Sequence, residues 1–181
     1  MAGNRRKSEI LMRGMKKSVI TVALLSILLY SSSVSAGSYQ WASVKIQSAL
    51  FIKVLGFNKA LEGNLIIYVL GADEFAGEFR TQIGNRVGDG RLYAVIRGER
   101  LPADVPDIVY IGEGCNLEKV LDYTERNRVM SISGNPGYVG KGVSLIIAIE
   151  DGKPRLIVDT ESSIREGVEW NKQMIRISQI Y

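Results

Sequence analysis

The sequence predicts a single α/β domain on a mixed sheet, with parallel strand-helix units first, an antiparallel carboxyl-terminal hairpin last, and flanking helices. Three observations carry this. Apolar runs at 64–70 (NLIIYVL), 91–97 and 107–111 (DIVYI) are short and continuous, two of them ending directly at Gly71 and Gly112, as expected of strands buried on both faces. A helical pattern at 74–83 falls between the first two runs and another at 117–126 between the third and a further strand at 129–133, and strand-helix alternation makes neighbouring strands parallel. Finally, apolar runs at 143–149 and 155–159 flank Glu150-Asp151-Gly152-Lys153, and Asp-Gly between such runs is the strongest short-range hairpin signal.

Residues 1–36 are read as a cleavable signal peptide and 37–181 as the domain. Arg5, Arg6, Lys7, Arg13, Lys16 and Lys17 form a basic n-region, 19–30 an apolar h-region, and Val34-Ser35-Ala36 a small-residue cleavage signal. That apolar run falls short of the roughly 18–20 residues a spanning helix needs, which makes an uncleaved anchor the weaker reading. Met12 and Met15 are alternative starts. Six of the 23 basic and one of the 19 acidic residues lie in this leader, so the remainder carries 17 basic and 18 acidic residues, net −1. The sequence pI near 9.2 therefore belongs largely to the leader and gives no reason to invoke nucleic acid. Cys115 is the single cysteine, so an intramolecular disulfide is impossible, and it is expected to pack as a small apolar residue beside a strand end. There is no His, which removes Ser-His-Asp and Cys-His catalysis and ordinary zinc ligation.

Along the domain, 38–57 has helical periodicity. Val44, Phe51 and Leu55 share a stripe, with Ala49 and Leu50 beside it and Lys45, Gln47 and Lys53 on the wetter side. Asp73 is expected to cap the next helix, whose apolar residues Phe75, Phe79 and Ile83 recur every four positions. Gly112-Glu113-Gly114 lacks the third glycine of a dinucleotide fingerprint, because position 117 is Leu; it reads as a tight turn into a helix capped by Asn116. Pro154 marks an edge position in its strand, since proline donates nothing to a ladder. A short helix near 161–167 leads to Asn171, a cap for a last helix with Trp170, Met174, Ile177 and Tyr181 on one stripe.

The segment 134–142 (GNPGYVGKG) superficially resembles a phosphate loop. Its spacing from Gly134 to Gly140-Lys141 is six positions where that loop takes five, Gly142 replaces the required hydroxyl, and a strand follows in place of a helix. What remains is a partly exposed loop displaying Asn135, Tyr138 and Lys141, the residues predicted to bind a partner or ligand. The carboxylate pairs Glu150-Asp151, Asp73-Glu74 and Asp104/Asp107 sit in turns, where acids are favoured for capping and solvation. No catalytic residue, metal ligand or cofactor is assigned.

Several stretches together resemble the YfiR-like family of exported bacterial proteins: VKIQSALFIKVLGF, LIIYVLG followed by DEF, DIVYIG, and above all VMSISGNPGYVGKGVSLIIAIEDGKPRLIVDTESSIREGV. The likeness covers most of the domain. There are departures. Phe57 is followed by Asn58 and Lys59 where the family commonly has Trp-Pro, Asp159 stands where Asn is common, and paired cysteines are missing, so no disulfide switch carries over. The resemblance implies a periplasmic, non-enzymatic regulator and homodimer, free in the periplasm after cleavage. Its implied action is to restrain an inner-membrane diguanylate cyclase, a cyclic-di-GMP signalling protein, by binding its periplasmic domain. The alternative is a periplasmic small-molecule binding module, with ligand near Gly71, Gly112 and Gly134 at the ends of the parallel strands.

Overall fold

The structure, a computed structural model, describes residues 38–181; the expected signal peptide lies outside them. In order come β1 (Gln40–Trp41), α1 (Val44–Val54) with a 3-10 turn at Leu55–Phe57, β2 (Glu62–Leu70), α2 (Asp73–Arg80), β3 (Arg86–Val87), β4 (Asp89–Gly98) and β5 (Ile108–Ile111). Then follow α3 (Leu117–Asn127), β6 (Met130–Ser133), β7 (Leu145–Glu150), β8 (Lys153–Val158), α4 (Thr160–Arg165), α5 (Lys172–Ile177) and β9 (Gln179–Ile180).

The strands form one mixed sheet in the order β3-β4-β2-β5-β6-β7-β8-β9, with β1 pairing on β7. β4, β2, β5, β6 and β7 run parallel to one another, β3 pairs antiparallel on β4, and β7 and β8 form the expected antiparallel hairpin. Its turn is Asp151-Gly152, with φ of 50° and 71°, the left-handed pair that matches strand twist in a two-residue loop. Pro154 pairs with Ile149 on the inner side, and β9 joins β8 only at Ile157 and Val158, so the proline sits where the outer edge is open.

Period-two alternation along β5 divides the core. Ile108 and Tyr110 face a cluster with Phe51, Phe75 and Phe79 from α1 and α2, whereas Val109 and Ile111 face Val120 of α3. That is the sheet covered on both faces which the continuous apolar runs predict.

Four local expectations are corrected. The first helix starts at Val44, with Ser43 as its cap, because Gln40 and Trp41 take ladder bonds from Ile149 and Ala148 instead. Gln47, placed on the wet side, is 2 % exposed. Asp73 is the first residue of α2 rather than its cap, and its carboxylate forms an ion pair with Arg97 of β4; the helix ends at Arg80, leaving Ile83 exposed. The last helix stops at Ile177 because the chain turns extended at Ser178 to pair with β8, so Met174 is buried while Ile177 and Tyr181 are exposed.

The two ends of the domain are tied together. Tyr39 donates to Gln179 Oε1 at 2.7 Å and lies 3.4 Å from the Tyr181 hydroxyl. Partial burial, then the Tyr181 contact, push the Tyr39 hydroxyl up to about 12.

Candidate functional site

The chain leaves β2 through α2 to β4 on one side, then returns to place β5 on the other side of β2. This reversal puts α2 and α3 on opposite faces and opens a crevice at the carboxyl ends of β2 and β5, the position where open α/β sheets take ligands. Gly71 and Gly112 close those two strands. A cavity of about 390 Å³ lies on the α1/α2 side, lined by Trp41, Gln47, Phe75, Tyr110 and both glycines. A second, of about 310 Å³, lies on the α3 side beside Gly71, Arg100, Glu113, Cys115 and Lys119.

Gln47 organises the floor of the first cavity. Its Nε2 donates to Ala42 O at 2.8 Å and its Oε1 accepts from the Tyr110 hydroxyl at 2.7 Å, so one side chain joins the amino-terminal segment to β5. Burial holds the Tyr110 phenol well above its usual range, keeping it a neutral donor. Gly134, at the end of β6, lies so close to the Gln47 amide that a Cβ there would overlap it. Sequence reasoning missed Gln47 by grouping it with Lys45 and Lys53; its spacing of four from Phe51 was the signal that placed it on the core stripe.

The loop after β6 is internally braced. Ser133 Oγ donates to Ile111 O at 2.7 Å and accepts from Asn135 N at 3.0 Å. The Asn135 side chain accepts from Gly137 N at 2.9 Å, stabilising the 3-10 turn at Pro136–Tyr138. The Tyr138 hydroxyl donates to Gly112 O at 3.0 Å, fastening the loop to the crevice, and burial raises it. Of the three predicted binding residues, Asn135 and Tyr138 are thus half-buried and engaged, and Lys141 alone is exposed. Cys115 is half-buried, its thiol donating to Leu70 O at 3.6 Å and raised by burial, in line with a packing role.

The sequence profile of the YfiR/HmsC-like family matches residues 45–179, from α1 into β9. The chain belongs to this family. No curated protein matches it. Membership supports a periplasmic, regulatory, non-catalytic role in cyclic-di-GMP signalling, and no helix among the described residues is long and apolar enough to cross a membrane.

One feature of this YfiR/HmsC-like domain had no sequence signal: Glu166, 1 % exposed at the end of α4. In the sequence it follows Ile164-Arg165 in an ordinary helical turn, and nothing local marks it as buried. Its Oε1 accepts from Thr124 Oγ1 at 2.6 Å, and its Oε2 from Ser131 N at 2.7 Å, Ser131 Oγ at 2.9 Å and Ser144 Oγ at 2.5 Å. The carboxylate therefore joins α4 to α3, β6 and the residue before β7.

Proposed function

We propose that this protein is exported with removal of residues 1–36 and restrains an inner-membrane diguanylate cyclase by binding its periplasmic domain, as a homodimer. Family membership over 45–179 carries the reading. The braced loop with Lys141 exposed on it agrees with it, because a rigid scaffold presenting an exposed cation suits an acidic partner surface. The deciding experiment measures cyclic-di-GMP in cells with and without the protein, together with binding of the purified protein to the periplasmic domains of the host's cyclases. A rise on deletion and a saturable complex are expected; unchanged cyclic-di-GMP and no complex would sink the idea.

Lys141→Glu is expected to weaken that complex roughly tenfold, about 1.4 kcal/mol, while leaving the unfolding midpoint unchanged, because Lys141 is exposed. Asn135→Ala and Tyr138→Phe should show the opposite balance, losing stability first.

The crevice at the β2/β5 reversal favours a second reading, a small-molecule binding module. A thermal-shift screen of small metabolites separates the two, since ligand at 100 times its Kd adds about 2.7 kcal/mol. A flat screen removes this reading and leaves the regulator standing.

A further inference from the structure

We propose that Glu166 is a proton-operated latch: uptake of a proton tightens the seam where α4 and the exit of the 134–143 loop close on the sheet, and its loss loosens that seam. Glu166 is 1 % exposed, and among the described residues no cation pairs with it. On the packed elements, Arg165 pairs with Glu125 at 2.8 Å and reaches Glu161 at 3.9 Å, Arg126 pairs with Asp122, and Asp159 caps α4. Arg128 is exposed, with its guanidinium against Gly167, and Lys141 is exposed on the loop. The ionised carboxylate is thus a buried charge without a pairing cation among the described residues.

The donors around it are unusual in kind. Three of the four are hydroxyls, from Thr124, Ser131 and Ser144, and only Ser131 N–H is a fixed donor. A hydroxyl can turn and accept, so hydroxyls serve either ionic state, whereas the amide can only donate, more strongly to the anion than to the carbonyl oxygen of the neutral acid. Thr124 Oγ1 also lies 3.1 Å from Leu121 O. Its hydrogen can swing to that carbonyl, leaving a lone pair for a proton on Glu166 Oε1. The neutral acid keeps every hydrogen bond and sheds the cost of a desolvated charge. Burial accordingly pushes the Glu166 carboxyl above its ordinary range, against the opposing pull of the Ser144, Thr124 and Ser131 bonds.

The seam is also where the loop leaves. Ser144 N donates to Ser131 Oγ at 3.0 Å while Ser144 Oγ donates to Glu166, so the carboxyl and the exit of the loop share one network. With the folded-state value raised, the folded protein binds more protons than the unfolded chain just above the ordinary glutamate range. The stability that Glu166 contributes is therefore fullest in acid, and is lost as pH rises through the folded value.

Urea unfolding of the protein and of Glu166→Gln, from about pH 4.5 to 8, tests the latch, because the glutamine amide donates to Thr124 as the neutral acid would. Across the titration window the unfolding constant of the wild type should rise up to tenfold per pH unit relative to Glu166→Gln. A difference that stays constant with pH, or one of opposite sign, would overturn the proposal. Should Glu166→Gln not fold, the wild-type Glu166 carboxyl carbon, followed by NMR, decides: a midpoint above that of an unfolded glutamate supports the latch, and one at or below it refutes it. Neither readout needs a partner, so failure here is distinct from failure of the regulatory reading.

Discussion

Phe75→Ala is expected to lower the stability of the domain by about 3–5 kcal/mol, the usual cost of emptying a buried phenylalanine site. Phe75 is 2 % exposed, and its ring stacks on Tyr110 at 3.7 Å between centroids and on Phe79 at 5.1 Å, with Phe51 meeting it edge-on at 5.9 Å. It is the side chain through which α2, β5 and α1 make one core. These neighbours cannot collapse into the space, since Tyr110 is held by Gln47 and Phe51 and Phe79 are fixed on separate helices. Urea unfolding should show a lower midpoint with an unchanged slope, and the melting temperature should fall on the order of 10 °C for a domain of this size. A loss below about 1 kcal/mol would mean that the aromatic cluster does not hold the helices to the sheet. Because Phe75 also lines the crevice, a small-molecule binder would lose its ligand at the same time.

Glu166→Ala should cost about 2–4 kcal/mol, chiefly because Ser131 N–H is left buried without an acceptor. The three hydroxyls can find other partners, as Thr124 does in Leu121 O, so the penalty stays below the sum of four broken bonds. The loss should be local as well as global. Amide exchange of Ser131 and Ser144 should speed up more than that of Ile67 or Val69 at the centre of the sheet, since the cage closes the α4 seam and not the sheet itself. Equal acceleration everywhere would show that the cage has no separate opening. Glu166→Gln keeps an acceptor for the amide and should cost clearly less.

The main strands, the hairpin and two of the helix caps were legible because their signals are local. Asn116 accepts from Lys119 N and Asn171 from Met174 N, each three residues on. The Asp151-Gly152 turn likewise needs only its own two left-handed residues. The candidate site was legible in part. Gly71 and Gly112 announced strand ends, but whether those ends lie side by side depends on strand order, and strand order is absent from any short window. The placement of Asn135 and Tyr138 depended on the same neighbourhood: a loop rich in glycine looks free to move until Gly112 O is found within reach of the Tyr138 hydroxyl.

Read alone, then, the amino-acid sequence determined the α/β class, the mixed sheet, the hairpin, the exclusion of histidine chemistry, and a family likeness that the profile match over 45–179 bears out. Periodicity and turn chemistry act over a few residues, so they survive without a third dimension. Tertiary structure alone decided the reversal beside β2, the burial of Gln47 and Glu166, and the switch from helix to strand at Ser178, each made by partners far away in the chain. Gln47 meets Tyr110, Glu166 meets Thr124, and Tyr181 N meets Val158 O. A polar side chain's burial is set by whether distant groups satisfy it, and those groups are adjacent only once the sheet has formed.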